Sequence, residues 1–150
     1  MAEVTLRQAT EADFELIYQI LRVSLGPYVE QTWGSWDEDA QRKRFEQVTH
    51  VEDHQILELN GETAGCLCLK ESPDELRLAR LFILPQFQNR GFGTKIMAGI
   101  LELAERKKLP IRLRVLRVNP ARSLYERLGF RIIEEDASHF TMLREPILPG

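Results

Sequence analysis

Two glycines lie one residue apart in the segment Gln88–Thr94, which reads QNRGFGT. An apolar run ending at a proline precedes it, and the apolar spacing of a helix follows it. The first N–H groups of a helix lack intrahelical partners and carry partial positive charge, so an anion is their natural ligand. Gly91 and Gly93 let the backbone take positive φ and let a ligand approach, while Arg90 and Lys95 add positive charge. The segment therefore predicts an anion-binding turn.

The spacing of this segment excludes two common phosphate-binding motifs. A Walker loop needs four residues between its first glycine and a Gly-Lys pair, which Gly91 and Gly93 do not frame. The dinucleotide fingerprint would need a small residue at position 96, where the chain has Ile96. An ordinary loop with two flexible glycines remains the alternative, because short motifs occur by chance.

A second motif narrows the choice. The segment Val118–Phe130, VNPARSLYERLGF, places an asparagine after a strand, a tyrosine on a short helix and Leu-Gly-Phe at the helix end. Together with the Gln-x-x-Gly-x-Gly loop, and in the same order, it resembles the signatures of the GNAT superfamily of N-acetyltransferases. The resemblance extends over nearly the whole chain and is weakest over residues 26–50.

The resemblance implies that the chain binds acetyl-CoA. Main-chain amides of the glycine loop would bind the pyrophosphate, and the pantetheine arm would pair with the strand backbone near Leu81. Arg122 is a candidate phosphate partner, with a surface arginine as the alternative. The implied cofactor-binding residues are Leu81, Phe82, Ile83, Gln88, Asn89, Arg90, Gly91, Phe92, Gly93, Thr94, Asn119 and Arg122.

The reaction implied by the resemblance is transfer of the acetyl group to a primary amine, by direct attack through a tetrahedral intermediate. A backbone amide at about Leu81 or Phe82 would stabilise the oxyanion. The Tyr125 hydroxyl, a donor at neutral pH, would serve the leaving thiolate. A tyrosine that only packs its ring in the core is the alternative for Tyr125. A non-catalytic acyl-CoA binding module and a pure interaction domain are the competing functions.

The general base is not evident in the sequence. Some members of the family carry a glutamate where this chain has Arg77, and arginine cannot accept the proton. A water chain or another titratable side chain would have to replace it. The titratable candidates are Asp37, Glu38, Glu71, Glu75 and His139.

The acceptor pocket of the family is built by the first two helices, their connection and the closing hairpin. Here the connection is the segment Leu25–Gln41, where Tyr28, Trp33 and Trp36 offer aromatic faces and Glu38 offers negative charge. Aromatic faces beside carboxylates suit an ammonium group, so we expect a small cationic amine or a peptide amine as acceptor. The alternative is that both tryptophans anchor a loop in the core.

The elements that position these residues follow the order β α α β β β α β α β β, which predicts a mixed α/β domain with a central sheet. Residues 26–36 read as a loop, Asn60-Gly61 as a hairpin turn, and the change of apolar phase at Ala79-Arg80 as a bulge. A strand is expected to continue through Val118. The GNAT resemblance implies a mostly antiparallel sheet of six to seven strands, splayed strands 4 and 5, and four flanking helices.

Length and composition agree with one domain over residues 1–150. The net charge of −3 and the lack of a long basic run argue against nucleic acid as partner. No apolar run reaches the ~18 residues that span a membrane, so we expect a cytoplasmic protein. Cys66 and Cys68 lack the spacing of a metal or redox motif, and no metal site is predicted. A homodimer is left open.

Overall fold

The computed structural model describes residues 3–147, and its element order is the predicted one. The helices are α1 (Phe14–Trp33), α2 (Glu38–Val48), α3 (Phe92–Lys107) and α4 (Ala121–Arg127). The strands are β1 (Val4–Gln8), β2 (His54–Leu59), β3 (Glu62–Glu71), β4 (Leu76–Ile83), β5 (Ile111–Leu116), β6 (Arg131–Glu135) and β7 (His139–Arg144).

The seven strands form a sheet in the order β1-β2-β3-β4-β5-β7-β6. The pairing of β4 with β5 is parallel, while β1 with β2, β2 with β3, β5 with β7 and β6 with β7 pair antiparallel. The parallel ladder covers three residue pairs, from Leu76↔Ile111 to Leu78↔Leu113, although β4 has 8 residues and β5 has 6. The mixed α/β class, the four helices and the mostly antiparallel sheet are therefore confirmed.

The chain divides into two compact units. The first takes in the residues up to Cys68 together with Arg80–Arg90, and the second takes in Leu69–Ala79 together with the residues from Gly91 onward. Within residues 3–147, no helix combines the length and apolar character needed to cross a membrane.

The core of the first unit lies where α1 and α2 pack on β2 and β3. Phe45 of α2 contacts the rings of Phe14 and Tyr18 of α1 edge-on, at centroid distances of 4.9 and 5.1 Å. Such aromatic pairs add specific geometry to the burial of large apolar surface. The buried side chains packed with them include Ile17, Ile20, Ile56 and Cys66.

The second unit has its own buried side chains on α3 and on strands β4, β5 and β7, namely Leu76, Met97, Ala104, Ile111 and Met142. An ion pair joins the end of β7 to α3, because Arg144 Nη1 donates to Glu105 Oε1 at 2.9 Å. The backbone N–H of Ile147 also donates to Glu105. These contacts fasten the end of the described chain to α3.

Two expected boundaries were wrong. The segment Gly26–Trp36 was expected to be a loop, but α1 continues through Pro27 to Trp33 and ends at Gly34, whose φ is 90°. The helix continues because Gly26 and Val29 are buried on its packed face, whereas Pro27 lies exposed. Tertiary burial thus offsets the loss of the hydrogen bond that a proline removes.

The end of the fifth strand also differs from the prediction. It was expected to reach Val118, but it ends at Leu116, where its pairing with β7 also ends.

The hairpin turn at Asn60-Gly61 and the helix end at Gly129 agree with the prediction from the sequence. Asn60 and Gly61 have φ of 53° and 82°, as a type I′ hairpin turn requires. Gly129 follows α4 with φ of 96° and terminates it. The bulge at Ala79-Arg80 remains a prediction, and β4 stops alternating between buried and exposed side chains at Arg80.

Candidate active site

The glycine loop folds into an open helix start. Gly91 is the N-cap of α3 with φ of 82°, and Asn89 also has positive φ, at 63°. The N-cap has no side-chain hydrogen bond, so the N–H groups of the first turn have no capping side chain to bind. The first turn contains no acidic residue, and both Arg90 and Lys95 are exposed beside it. This arrangement fits a diphosphate.

The two glycines of the motif differ in backbone conformation. Gly91 occupies the left-handed conformation that favours glycine. Gly93 lies inside α3, and a Cβ built on it would approach only Leu124 Cδ2, at 3.9 Å, which is ordinary contact. Of the two glycines expected to permit positive φ, only Gly91 adopts it. A bare backbone there leaves room for a ligand against the helix.

The end of β4 is held against β3 by its backbone. The N–H of Leu84 donates to the carbonyl of Ala64 at 2.8 Å, and a Cβ on Gly65 would collide with the carbonyl oxygen of Phe82. Since the backbone groups of a strand point alternately to its two edges, those of Leu81 and Ile83 point away from β3. The Gln88 side-chain amide donates to the carbonyl oxygen of Ile83 at 2.8 Å, so it ties the glycine loop to the strand.

Tyr125 of α4 is buried, with 8% of its surface exposed, and its ring lies 5.6 Å from that of Phe130. Burial alone raises the pKa of its phenol to about 12, and no hydrogen bond contributes. The hydroxyl is not among the fully enclosed unpaired atoms of the described chain, where only Ser24 Oγ occurs. Tyr125 therefore holds a protonated donor that is available to a ligand.

Asn119 and Arg122 stand at the start of α4. The Asn119 side-chain oxygen accepts from the N–H of Ala121 at 2.9 Å, which fixes the turn into the helix. Arg122 pairs with Glu126 at 3.2 Å, one helical turn away, and lies over the Phe140 ring at 4.9 Å. Both predicted cofactor residues thus already have partners within the second unit.

Each carboxylate considered as a base has a structural partner. Asp37 caps α2 by accepting from the N–H of Ala40 at 3.1 Å. Glu71 pairs with Lys107 at 2.8 Å, and Glu75 pairs with Arg112 at 3.2 Å. His139 Nδ1 lies 2.7 Å from Ser138 Oγ, while Arg77 is exposed on β4.

Glu38 and Trp36, two of the predicted acceptor residues, form one cluster with Tyr18. Its two oxygens accept from the Tyr18 hydroxyl at 2.6 Å and from Trp36 Nε1 at 2.7 Å. These hydrogen bonds, that of Tyr18 foremost, lower the pKa of the Glu38 carboxyl. Arg22 lies over the Trp36 ring at 4.7 Å and pairs with Glu38 at 3.4 Å. The aromatic face and the carboxylate expected to receive a substrate cation therefore already hold one of the chain's own.

The remaining acceptor candidates, Tyr28 and Trp33, both lie on α1. Tyr28 is half-buried on α1, and Trp33 ends that helix with 56% of its surface exposed. Trp33 is therefore not a core anchor, whereas Trp36 is held by Arg22 and Glu38. Within residues 3–147 no group of three or more His, Cys, Asp or Glu side chains is arranged to hold a metal ion.

Comparison with known proteins decides the family. The family described as "Acetyltransferase (GNAT) domain" matches residues 50–132. A relative from Haemophilus influenzae, [ribosomal protein bS18]-alanine N-acetyltransferase, is 30% identical over 132 residues, covering 86% of this chain and 82% of its own. The chain belongs to the GNAT acetyltransferase family. It is an enzyme that transfers an acetyl group from acetyl-CoA to an amine.

Two further matches describe the range of this GNAT enzyme's relatives. The amino-acid acetyltransferase of Neisseria meningitidis serogroup A is 32% identical over 137 residues, which cover 90% of this chain but only 29% of that protein. The crystal structure of PaiA N-acetyltransferase from Thermoplasma acidophilum in complex with coenzyme A has a TM-score of 0.74. It is 19% identical, with coverage of 95% of this chain and 99% of that one, and it supports the fold.

Sequence reasoning missed two arginines of the first unit, Arg22 and Arg80. Arg22 lies across the buried Gly26, where a Cβ would collide with its guanidinium. Arg80 reaches from β4 to Thr49 and His54. One signal pointed to Arg80, namely a charged residue at the change of apolar phase in β4. No local signal pointed to Arg22.

Proposed function

We propose that this acetyltransferase acetylates an α-amine, either of a free amino acid or of the first residue of a peptide. The observation that supports the proposal is the engagement of every carboxylate considered as a base. Without a dedicated base, the acceptor must lose its proton to water. At pH 7 this costs about 1 kcal/mol for a peptide α-amine and about 4–5 kcal/mol for a lysine-type amine. The cost for a free amino acid lies between these two, because its own carboxylate stabilises the ammonium form. An α-amine is therefore favoured over a lysine-type amine.

The activities named for two relatives agree with this acceptor class. One is an alanine N-acetyltransferase acting on a ribosomal protein, and the other is an amino-acid acetyltransferase. Both names refer to an amino acid or to an amino acid of a protein. We extend that class to this chain as a proposal.

We assign the roles of this chain's residues as follows. The N–H groups at the start of α3, beginning after Gly91, bind the diphosphate. The backbone of Leu81 and Ile83, which points away from β3, binds the pantetheine arm, and the Leu81 amide donates to the acetyl oxygen as it becomes negative. Acetyl-CoA, when bound, supplies an acetyl group activated as a thioester. Tyr125 donates a proton to the departing sulfur.

The bonds balance in one transfer. The neutral amine nitrogen adds to the carbonyl carbon, so a C–N bond forms and the C–S bond breaks. The electron pair of that bond goes to sulfur, which takes the Tyr125 proton, and the nitrogen releases its extra proton to water. Water then returns a proton to Tyr125, whose pKa of about 12 keeps the resting phenol protonated at neutral pH.

A panel of acceptors tests the proposed class. Thiol release from acetyl-CoA is measured with free amino acids, with short peptides that have a free N-terminus, and with Nα-acetyl-lysine, which offers only an ε-amine. We expect the best α-amine to exceed Nα-acetyl-lysine at least tenfold in kcat/KM. A panel in which Nα-acetyl-lysine or a polyamine is the best acceptor would overturn the proposal.

Two further expectations stay proposals, namely a cytoplasmic location and a homodimer. Both cysteines are buried and no disulfide joins them, as a reducing compartment allows. Light scattering coupled to gel filtration measures the mass of the particle, and a mass near 17.4 kDa would exclude the dimer.

A further inference from the structure

Arg80 of β4 differs from the other half-buried arginines of the first unit. Arg7, Arg22 and Arg42 each pair with a carboxylate. Arg80 has no carboxylate partner among residues 3–147. Desolvation by burial lowers its pKa, and only the nearby Cys66 and Cys68 partly oppose this effect. A half-buried charge without a counter-charge costs free energy. The site thus lacks an anion that would offset this cost.

The neighbours of Arg80 are neutral. Its Nη1 donates to Thr49 Oγ1 and to His54 Nε2, each at 3.1 Å. His54 Nδ1 lies 2.8 Å from the carbonyl of His50, which can only accept, so the proton is on Nδ1 and Nε2 is the acceptor. Burial raises the pKa of the nearby Cys66 thiol to about 12, which leaves it uncharged.

The contacts of Arg80 leave one edge of its guanidinium available. The group lies over the Phe45 ring, with its central carbon 5.2 Å from the ring centroid. Of its five N–H groups, the two on Nη1 face Thr49 and His54. Within the described chain, the Nε–Nη2 edge has no partner. That edge is the fork that matches the two oxygens of a carboxylate.

We propose that Arg80, held in place by Thr49, His54 and Phe45, binds the carboxylate of the acceptor. The proposal rests on the α-amine acceptor class proposed above, and it selects the free amino acid over the peptide, whose first residue has no carboxylate. Arg80 directly precedes Leu81, to which we assign the acetyl oxygen. A guanidinium beside the substrate carboxylate also cancels the charge that stabilises the ammonium form, which makes the neutral amine easier to reach.

Matched acceptor pairs test the proposal. Each L-amino acid is compared with its own carboxamide at one pH, and kcat/KM is corrected for the neutral fraction of each amine. In the wild type we expect the acid to exceed the amide by about ten- to a hundredfold, as for hydrogen bonds to a charged group. In Arg80→Gln the ratio of kcat/KM for the acid to kcat/KM for the amide should fall to about twofold or less. The fall should come from a higher KM for the acid, while KM for the amide stays constant. Equal use of acid and amide by the wild type would overturn the proposal.

Two controls separate this role from a structural one. Arg77→Gln changes an exposed arginine of the same strand and should keep the preference for the acid. Arg80→Lys keeps the charge without the fork and should recover part of that preference. Acetyl-CoA affinity, measured by calorimetry, should be unchanged in all three variants.

A binding measurement on the wild type covers the case in which Arg80→Gln does not fold. Propionate should inhibit competitively against the amine acceptor, whereas propionamide should not. Inhibition by both, or by neither, would overturn the carboxylate site. If no α-amine is acetylated but propionate still competes against another amine, the proposed acceptor class fails and the carboxylate site stands.

Discussion

The Tyr125 hydroxyl is the group on which the proposed proton donation depends. Its phenol has a pKa of about 12 because the residue is buried, so the proton is present throughout the neutral range. Tyr125→Phe removes the donor but keeps the ring beside Phe130. We expect kcat to fall about a hundredfold, the lower end of the range for general acids, because a thiolate leaves readily.

The measurement is a steady-state assay of thiol release at saturating acceptor, with KM for acetyl-CoA and the unfolding midpoint determined in parallel. Both of these should remain at their wild-type values, since Tyr125→Phe deletes no packed carbon. A variant with unchanged kcat would show that the leaving sulfur takes its proton from water, and that Tyr125 only packs.

At the scale of elements, the entry into α1 depends on Asp13. Its carboxylate accepts from both terminal nitrogens of Arg7 at 2.9 Å and from the N–H of Thr10 at 2.8 Å. These contacts, that of Arg7 foremost, lower the Asp13 pKa to about 2. Because the folded state binds the proton less readily than the unfolded state, this stabilisation is present above pH 4 and disappears as the pH falls to 2.

We therefore expect Asp13→Asn to lower the free energy of unfolding by about 1–2 kcal/mol at pH 7. The difference from the wild type should shrink steadily between pH 4 and pH 2, as measured by urea denaturation at several pH values. The exposed Asp39→Asn, in the first turn of α2, is the matched control and should change stability by less than about 0.5 kcal/mol. A pH-independent difference for Asp13→Asn would contradict the assigned pKa.

Substitutions at three glycines, at the start of α3 and within it, separate the effect on diphosphate binding from the effect on folding stability. Gly91→Ala forces a Cβ into positive φ and should cost about 1 kcal/mol. Gly93→Ala and Gly99→Ala lie within the helix without close contacts, so each should add about 0.5–1 kcal/mol of stability. If the ligand packs on the backbone at Gly93, Gly93→Ala should be more stable and yet bind CoA at least tenfold more weakly.

Calorimetric titration with CoA and thermal unfolding of the same samples provide the two readouts. Gly99→Ala should bind CoA like the wild type, because position 99 is exposed and seven residues beyond the start of α3. Wild-type affinity in Gly93→Ala would mean that no ligand approaches that part of the helix, whatever its effect on stability.

The sequence predicted the elements whose signals are local and missed those decided by distant contacts. The hairpin turn at Asn60-Gly61 and the N-cap at Asp37 could be predicted, because turn and cap preferences act within a few residues. The continuation of α1 through Pro27 was not readable, because burial of Gly26 and Val29 against the rest of the unit decides it. The packing of α1 therefore outweighs the helix-breaking tendency of Pro27.

The site divides in the same way. Gly91 belongs to a contiguous motif and has the positive φ that a glycine there was expected to permit. Tyr125 belongs to a second such motif and is buried, and its role stays a prediction. The environment of Arg80 depends on Thr49 and His54, which lie 31 and 26 positions away in the chain. Spacing within a motif carries no information about such contacts, so the sequence pointed to the glycine loop and to Tyr125 but not to the surroundings of Arg80.

For the molecule as a whole, the main consequence of the proposed cofactor site is a gain in stability on binding. A ligand that binds only the folded chain, at a hundred times its dissociation constant, adds about 2.7 kcal/mol to the free energy of unfolding. For a chain of 150 residues this raises Tm by roughly 5–10 °C. Acetyl-CoA and CoA should act alike, because both carry the diphosphate that we assign to the start of α3.

Scanning fluorimetry with three ligands distinguishes the contribution of the diphosphate. Pantetheine lacks the diphosphate and should shift Tm by less than about 2 °C at the same concentration, because only the strand backbone near Leu81 remains to hold it. Gly91→Ala should reduce the CoA shift and leave the small pantetheine shift unchanged. Equal Tm shifts with pantetheine and CoA would mean that β4, and not the start of α3, provides the affinity. The assignment of the glycine loop to the diphosphate would then be wrong.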